Sequence, residues 1–464
     1  KFNPKREFQK DVEKAPKGGY KRIGNISNTK ITDELMQKRR EKEQRKEENE
    51  NAIVQMKSLI DSHFKSHKKW TPANVEELIT LSSGALYELS IKPDASRIVQ
   101  TIVKYGDDEQ REKVFNTVKE HMLELTKDQY GHHVVKKLIK YSHKRVVPFL
   151  RGLFKEHMLD LLTQKFSSQV LSTLCEFINR SQMRQLVETV YGKQYTFLKE
   201  KHPELKGFKE LLESDETMKA VISKDLKAKV SKIMDKSHVS TNPMVSQILI
   251  DYSSCVNGDE ATEVAATYRE QLINFLTLPD GPKLMKFVVL NSSPKARKGL
   301  LKELKEHIVG LLTDKFGHYC ILYLLRHVDD KTVLSKYVLD PIISMSNKLI
   351  FDKCGIEVIE FIIDPMSTHF LPPTIIDPLK EKGEYTKKDD DIRFADMFNE
   401  VKPALLELAK NEYNSLIKYK PTRRFLAGLK KRLTEEEGAF IVEEDLKGKK
   451  PQEGEKEEKA GDRK

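Results

Sequence analysis

Three stretches of this chain repeat one phrase. His121-Met122-Leu123-Glu124-Leu125 leads into Tyr130-Gly131-His132-His133-Val134-Val135. His157-Met158-Leu159-Asp160-Leu161 leads into Phe166-Ser167-Ser168-Gln169-Val170-Leu171, and His307-Ile308-Val309-Gly310-Leu311 into Phe316-Gly317-His318-Tyr319-Cys320-Ile321. The first two copies begin at 121 and 157, 36 residues apart. A fixed period in this range is the signature of a solenoid, whose units bury their apolar faces only against their neighbours. The function of such an array is sought on one face, in the letters that vary between copies.

At 464 residues the chain is too long for one ordinary core. Hydrophobic residues at 38% and charged residues at 33% suit a thin array better than a compact globule. The formal charge of +11 and pI of about 9.1 point to a polyanionic partner, nucleic acid or an anionic membrane surface. No stretch approaches the ~18 apolar residues needed to span a bilayer, so no membrane partner is expected. Cys175, Cys255, Cys320 and Cys354 form no CxxC pair and sit among Leu, Ile, Phe or Tyr. They read as reduced core residues of an intracellular protein. No secretory signal opens the chain, and it begins at Lys1, so its natural N-terminus is expected to be missing. There is no Gly-rich phosphate loop, HExxH, GxSxG or paired Cys/His spacing. The expectation is a non-enzyme with no catalytic residue, metal or cofactor.

Composition and breakers divide the chain. Residues 1–52 read as a basic, charged arm, partly disordered, with a helical stretch around Met36–Lys46 carrying mixed charges at i,i+4 spacing. Repeats are expected over 53–192 and again over 229–371, with apolar residues at helical spacing and breakers such as Asn242-Pro243 and Pro279-Asp280-Gly281-Pro282. A Lys/Glu-rich stretch, 193–228, breaks the phase and reads as an irregular repeat or insertion. Residues 372–396 look like a charged connection, 397–440 like a helical extension, and 441–464 like a disordered tail.

The repeated core aligns as aromatic, small, x, x, apolar, apolar. Further segments fall into the same frame: Ala95–Gln100, Asn242–Gln247, Gly281–Lys286, Gly355–Glu360 and, more weakly, Pro421–Leu426. In the first helical turn, positions 1, 2 and 5 of this frame can share an exposed face while the apolar pair points inward. The variable residues then form a column across repeats. With its Gly-x-x-Val-Val-x frame, its preceding Asp/Lys–aromatic pair and its period near 36, the chain resembles the Pumilio (Puf) repeat family.

In that family positions 1 and 5 meet a base edge and position 2 stacks between bases, one base per repeat. The resemblance makes Ser96/Arg97/Gln100 a full purine reader. It also assigns the later triplets, which depart from the pattern: His132/His133/Lys136, Ser168/Gln169/Ser172, Pro243/Met244/Gln247, Pro282/Lys283/Lys286, His318/Tyr319/Leu322 and Ile356/Glu357/Glu360. Lysines and histidines supply salt-dependent grip on phosphate without sequence information. Lys136, Lys140 and Lys144 make an i,i+4 stripe that Lys104, Lys283 and Lys286 extend. The candidate RNA-binding residues are therefore Ser96, Arg97, Gln100, Lys104, His132, His133, Lys136, Lys140, Ser168, Gln169, Gln247, Lys283, Lys286, His318 and Tyr319.

His121, His157 and His307 recur beside Met-Leu or Ile-Val and read as one repeated structural hydrogen bond. Asp107-Asp108 and Asp329-Asp330 read as loop or N-cap residues. The unit Lys92–Tyr105 is similar to the nucleolar Puf-A-type branch of the family. The expected architecture is an all-α, right-handed superhelical solenoid of Puf repeats with an irregular central insertion. The resemblance implies binding of pre-ribosomal RNA with low sequence specificity during large-subunit (60S) assembly in the nucleolus. It also implies assembly factors or ribosomal proteins as neighbours, with the chain a monomer within a ribonucleoprotein. Two rival readings are a sequence-specific mRNA-binding translational regulator of the Pumilio type and a HEAT-like protein scaffold.

Overall fold

The computed structural model describes residues 50–447 except 68, 83 and 237–241. The expected arm before residue 50 and the tail beyond 447 lie outside the described residues. The chain divides into two compact units, 1–84 and 85–464. In the first, a helix runs through residues 50–65 and a second spans Pro72–Leu81. Thr71 caps that second helix: its hydroxyl accepts from the Asn74 amide N–H, and the Asn74 side chain accepts from the Thr71 backbone. Met56, Val75 and Leu78 are fully buried. The repeats expected to begin at 53 thus have residues 53–84 in this first unit.

The second unit is an all-α superhelical solenoid, and no strand occurs among the described residues. Its spine is a stack of helices, each packed on the next: α1 (Ser96–Tyr105), α2 (Gly131–Tyr141), α3 (Lys165–Cys175), α4 (Pro243–Ser253), α5 (Gly281–Leu290), α6 (Gly317–His327) and α7 (Gly355–Ile363). A short helix, α8 (Pro373–Leu379), follows, and α9 (Lys420–Arg432) completes the stack against α7. Flanking helices such as Asp108–Val118 and His143–Phe154 pack beside the spine.

Helix α2 shows why this sequence folds so. Val134, Val135, Leu138 and Ile139 are fully buried, while His133 and Lys140 are exposed. The spacing i, i+1, i+4, i+5 gives one apolar stripe, which a neighbour on either side must cover. The turn into α2 is built by Asp128, whose Oδ1 accepts the backbone N–H of Tyr130 (2.8 Å) and of Gly131 (2.6 Å). Asp314 does the same for Phe316 and Gly317, and Asp352 for Cys354 and Gly355. The glycine is required by close approach: a Cβ on Gly131 would lie 2.8 Å from Leu125 Cδ2, and one on Gly317 2.7 Å from Leu311 Cδ2. Where α3 has Ser167 instead, its hydroxyl donates to Leu161 O at 2.6 Å.

The recurring histidines differ from expectation. His121, His157 and His307 each stand at the N-cap of a short helix, yet none makes a side-chain cap bond. His121 instead stacks on Tyr87 (4.0 Å) and meets Glu124 Oε2 at 3.2 Å. The repeated structural bond is made by the aspartates that follow, whose short side chains reach back to the turn.

Residues 193–234 form three helices, Lys193–Lys201, Phe208–Glu213 and Glu216–Met234, the last of which packs on α4. Asp107 and Asp330 are N-caps, accepting from Gln110 N and Val333 N. The cysteines are free; Cys320 is buried, and burial pushes the Cys175 thiol up to about 12. No group of ligands able to hold a metal ion occurs among the described residues, and none of their helices is long and apolar enough to cross a membrane.

The segment 372–396 is more than a connection. Helix α8 packs on α6, and the chain from 380 to 389 continues as a strap into a helix at Asp390–Asn411. Arginines hold it down. Arg326, only 2% exposed, grips Asp390 with both terminal nitrogens (2.6 and 2.9 Å) and donates Nε to Leu379 O. Arg297 donates to Val289 O, His327 O, Tyr385 O and Thr386 Oγ1. Arg393 donates to Val328 O and Lys388 O and pairs with Asp329, which accepts the N–H of Lys387 and Lys388. At Gly383 the strap passes so close to α5 that a Cβ would fall 2.4 Å from Leu290 O. Toward the C-terminus, Glu443–Lys447 is helical and Asp445 accepts the Tyr413 hydroxyl, within the stretch expected to be disordered.

Candidate nucleic-acid interface

The predicted column can now be followed helix by helix. On α1, Ser96 is buried; its hydroxyl donates to Tyr130 O (3.2 Å) and accepts from Gln100 Nε2 (2.8 Å). The two edge groups therefore hold one another, and Arg97 stands exposed beside them. Lys104 is exposed at the far end of α1, against the Tyr105 hydroxyl at 2.8 Å.

On α2, His132 is buried, with Nδ1 3.1 Å from Asp128 O and its ring 3.8 Å from His133 and 5.0 Å from Phe166. His133 is exposed. Burial, then the neighbouring His132 and cations such as Lys136, lowers its pKa. Burial lowers that of His132 as well. Both rings are therefore neutral near pH 7, and His133 offers a flat face rather than a charge. Charge comes from Lys136 and Lys140 along the same helix face. Among the described residues none forms an ion pair with Arg97, Lys136 or Lys140. On α3, Gln169 is half-exposed, and Ser168 is buried, where its carbonyl and hydroxyl oxygens accept the Asn242 amide at 3.1 and 3.3 Å.

From α4 onward the column changes character. The buried apolar set of α4 is Met244, Val245, Ile248 and Leu249. It starts one residue earlier than the sequence frame placed it, so Asn242, Pro243 and Ser246 occupy the column. Gln247 is 6% exposed and donates to Asp251 Oδ1 (3.0 Å). Asp251 also accepts the Tyr191 hydroxyl at 2.5 Å, with Arg184 4.0 Å away. Gln247 thus belongs to a buried polar network rather than to a surface. The proline and the Met-Val pair of α4 fit either register in sequence, and only burial decides between them.

On α5, Lys283 reaches Asp280 at 3.0 Å and Lys286 is held by Glu381 of the strap at 2.5 Å. On α6, His318 is buried, with Nδ1 2.7 Å from Asp314 O and Nε2 3.2 Å from Glu357 Oε2. Tyr319 is half-buried beside it, and Leu322 is fully buried. On α7, Glu360 is fully buried and takes Arg424 of α9 bidentately, at 2.7 and 2.6 Å. Each of these positions meets a group supplied by the chain itself.

The residues that sequence reasoning missed are the clamps, Arg297, Arg326 and Arg393. Their signal was present: Arg326 ends the apolar run Cys320–Leu325, and a guanidinium on such a helix must find a buried partner.

Fold and column together define a Puf-type helical-repeat protein. The chain is similar to the Pumilio (PUF) repeat family: a model described as NOP9-like PUF repeat domain matches residues 20–160, and one described as Pumilio-family RNA binding repeat matches 307–334. A CPL (NUC119) domain model matches 351–460, which includes the strap. The chain is 23% identical to Pumilio homolog 3 of Rattus norvegicus over 90% of its own length and 64% of that protein's. It is 27% identical to Pumilio homology domain family member 6 of Saccharomyces cerevisiae, covering 74% of this chain and 52% of that one. It thus spans less than two thirds of the length of these relatives. The crystal structure of human Puf-A superposes with a TM-score of 0.76 at 21% identity, covering 82% of this chain and 75% of that one.

Proposed function

We propose that this chain binds RNA through the open column of α1–α3, gripping the backbone and stacking on bases with little sequence preference. The observation that carries the reading is the set Arg97, His133, Lys136 and Lys140, solvent-facing and free of carboxylate partners among the described residues. Cations without counter-charges gain from phosphate through counterion release, and flat side chains stack on any base. The edge pair Ser96/Gln100 is already satisfied internally, Gln100 Nε2 donating to the buried Ser96 hydroxyl.

The particular RNA follows from family resemblance. Likeness to the nucleolar Puf-A-type branch, the NOP9-like match and the Pumilio homolog 3 relatives support pre-ribosomal RNA in large-subunit assembly. The nucleolus, assembly factors or ribosomal proteins as neighbours, and a monomeric state within the particle belong to the same proposal. Human Puf-A has also been crystallised with DNA, a partner in keeping with contacts that do not depend on the 2′-hydroxyl. The rival mRNA-regulator reading needs consecutive base readers, whereas α4, α6 and α7 have theirs buried or bonded.

The experiment is binding of the purified chain to random single-stranded and structured RNAs across a salt series. Affinity that ignores sequence and falls steeply with salt supports the reading. A strong preference for one short motif sinks it in favour of the regulator, and no binding at low salt favours a protein scaffold.

A further inference from the structure

Where the strap crosses α5 and α6 it leaves an open cleft of about 860 Å³, walled by α4, α5, α6, α8 and the strap itself. This volume lies within the ~300–1,000 Å³ range of small-molecule sites. We propose that the cleft is a pocket for a single unstacked nucleotide; in the RNA-bound protein this is one base of the strand, turned out of the stack. The proposal rests on the RNA reading above, but it concerns a different surface and a different kind of contact.

The walls carry both chemistries that a nucleotide demands. Tyr319 and Tyr323 on α6 and Tyr385 on the strap line the space. Lys283 and Lys286 of α5 and Lys382 of the strap line it as well, each beside a carboxylate of the chain: Asp280, Glu381 and Asp390. Aromatic faces receive a base, and ammonium groups receive its phosphate. A purely apolar ligand would leave the lysines unused, and an inorganic anion would leave the rings unused.

Charge orients the occupant. Glu384 lies on the strap and Glu381 already holds Lys286, so the phosphate belongs beside Lys283 of α5. Lys283 is 53% exposed, and when it turns to an incoming phosphate its buried partner Asp280 keeps Arg180, at 3.4 Å. The wall is firm. Arg297 fixes the Tyr385 carbonyl at 3.1 Å, Arg326 and Asp390 pin the strap's far end, and Tyr319 is braced by the His318 ring at 3.8 Å. A pocket whose sides are already ordered loses little entropy on binding.

The test uses the whole chain and two probes: adenosine 5′-monophosphate, and a single-stranded oligonucleotide carrying 4-thiouridine for photocrosslinking. Saturable binding of the mononucleotide is expected, with crosslinks mapping to peptides that contain Tyr319, Tyr323 or Tyr385. Lys283→Glu and Tyr385→Ala should each weaken mononucleotide binding on the order of tenfold, the effect of one lost ion pair or stack. Their thermal unfolding should be unchanged, which separates a lost contact from a lost fold. Arg97→Glu/Lys136→Glu/Lys140→Glu should leave mononucleotide binding intact. Absence of saturable binding, or binding indifferent to both cleft variants, overturns the pocket. If the open-column variant abolishes RNA binding while the cleft ignores the nucleotide, the proposed function stands and this inference falls. A cleft that takes the mononucleotide in a chain that binds no RNA keeps the pocket and removes the function.

Discussion

Helices α1–α3 and helices α4–α7 are built on one plan and put to opposite use. In both groups an apolar stripe fixes the stack, and two or three polar positions per helix are left over. In α1–α3 those positions face solvent as Arg97, His133, Lys136 and Lys140. In α4–α7 they meet the chain's own groups: Gln247 on Asp251, Lys286 on Glu381, His318 on Glu357, Glu360 on Arg424. The second group spends these positions on internal pairing. Glu381 and Arg424 occupy places where a repeat of the open kind would present its side chains to a ligand. The difference teaches that a repeat can keep its fold while its reading positions are turned to internal pairing.

The sharpest way to break the comparison is to loosen what closes the second half. Arg326→Ala leaves Asp390 partly buried without its bidentate partner and frees the Leu379 carbonyl. Removing one member of a buried pair costs about 3–5 kcal/mol. We expect a lowered denaturation midpoint and rapid proteolysis within 380–389, while RNA affinity at α1–α3 stays within about twofold. A variant as stable as the parent would show that the strap is not clamped as described.

The next effect lies on the open half. Arg97→Glu/Lys136→Glu/Lys140→Glu should reduce RNA affinity at least 100-fold at low salt. Neutralising the same residues to Ala should flatten the dependence of log affinity on log salt by about 0.7 per lost phosphate contact on single strands. The charge-matched control Lys295→Glu/Lys298→Glu/Lys302→Glu, on the flanking helix Pro294–Leu304, should change affinity only slightly. Equal losses from both triples would mean that net charge, not the column, drives binding.

Gln247 offers a finer cut, because sequence and structure give it different jobs. As a base reader it would matter to RNA. As the donor to buried Asp251 it matters to the fold. Gln247→Ala should cost about 1–3 kcal/mol of stability and leave RNA binding unchanged.

How much of this was legible beforehand follows the same divide. The spine was readable because Val134, Val135, Leu138 and Ile139 declare their buried face by spacing alone, and the open column is what remains on the other side. The register of α4 was not, since Pro243-Met244-Val245-Ser246-Gln247 contains two overlapping apolar sets and local pattern cannot choose. The strap was hidden for a different reason. Residues 380–391 are rich in Lys, Glu and Asp, a composition that reads as solvated chain, yet its order comes from arginines 64–89 residues upstream, beyond any local window. The aspartate turns were visible as Asp-x-x-Gly, but the histidines upstream of them drew attention to the wrong bond.

The smallest predicted effects are pH-dependent and fall on opposite halves. On the open half, His133 has a lowered pKa, so it charges only below the ordinary histidine range. RNA affinity should rise as pH drops through that region, and His133→Ala should remove the rise. On the closed half, burial pushes Glu360 up to about 7, while Arg424 pulls the other way. The unfolded carboxyl titrates near its ordinary value, so between that value and about 7 the folded state holds more protons than the unfolded one. Stability linked to this group therefore falls as pH rises through that window. Glu360→Gln, which keeps shape but not charge, should flatten the stability profile between pH 4.5 and 7 and leave RNA binding at fixed pH unaltered. A profile that keeps its slope in the variant would locate the titration elsewhere. It would also imply that the bidentate geometry holds Glu360 ionised throughout, a charged pair sealed between α7 and α9.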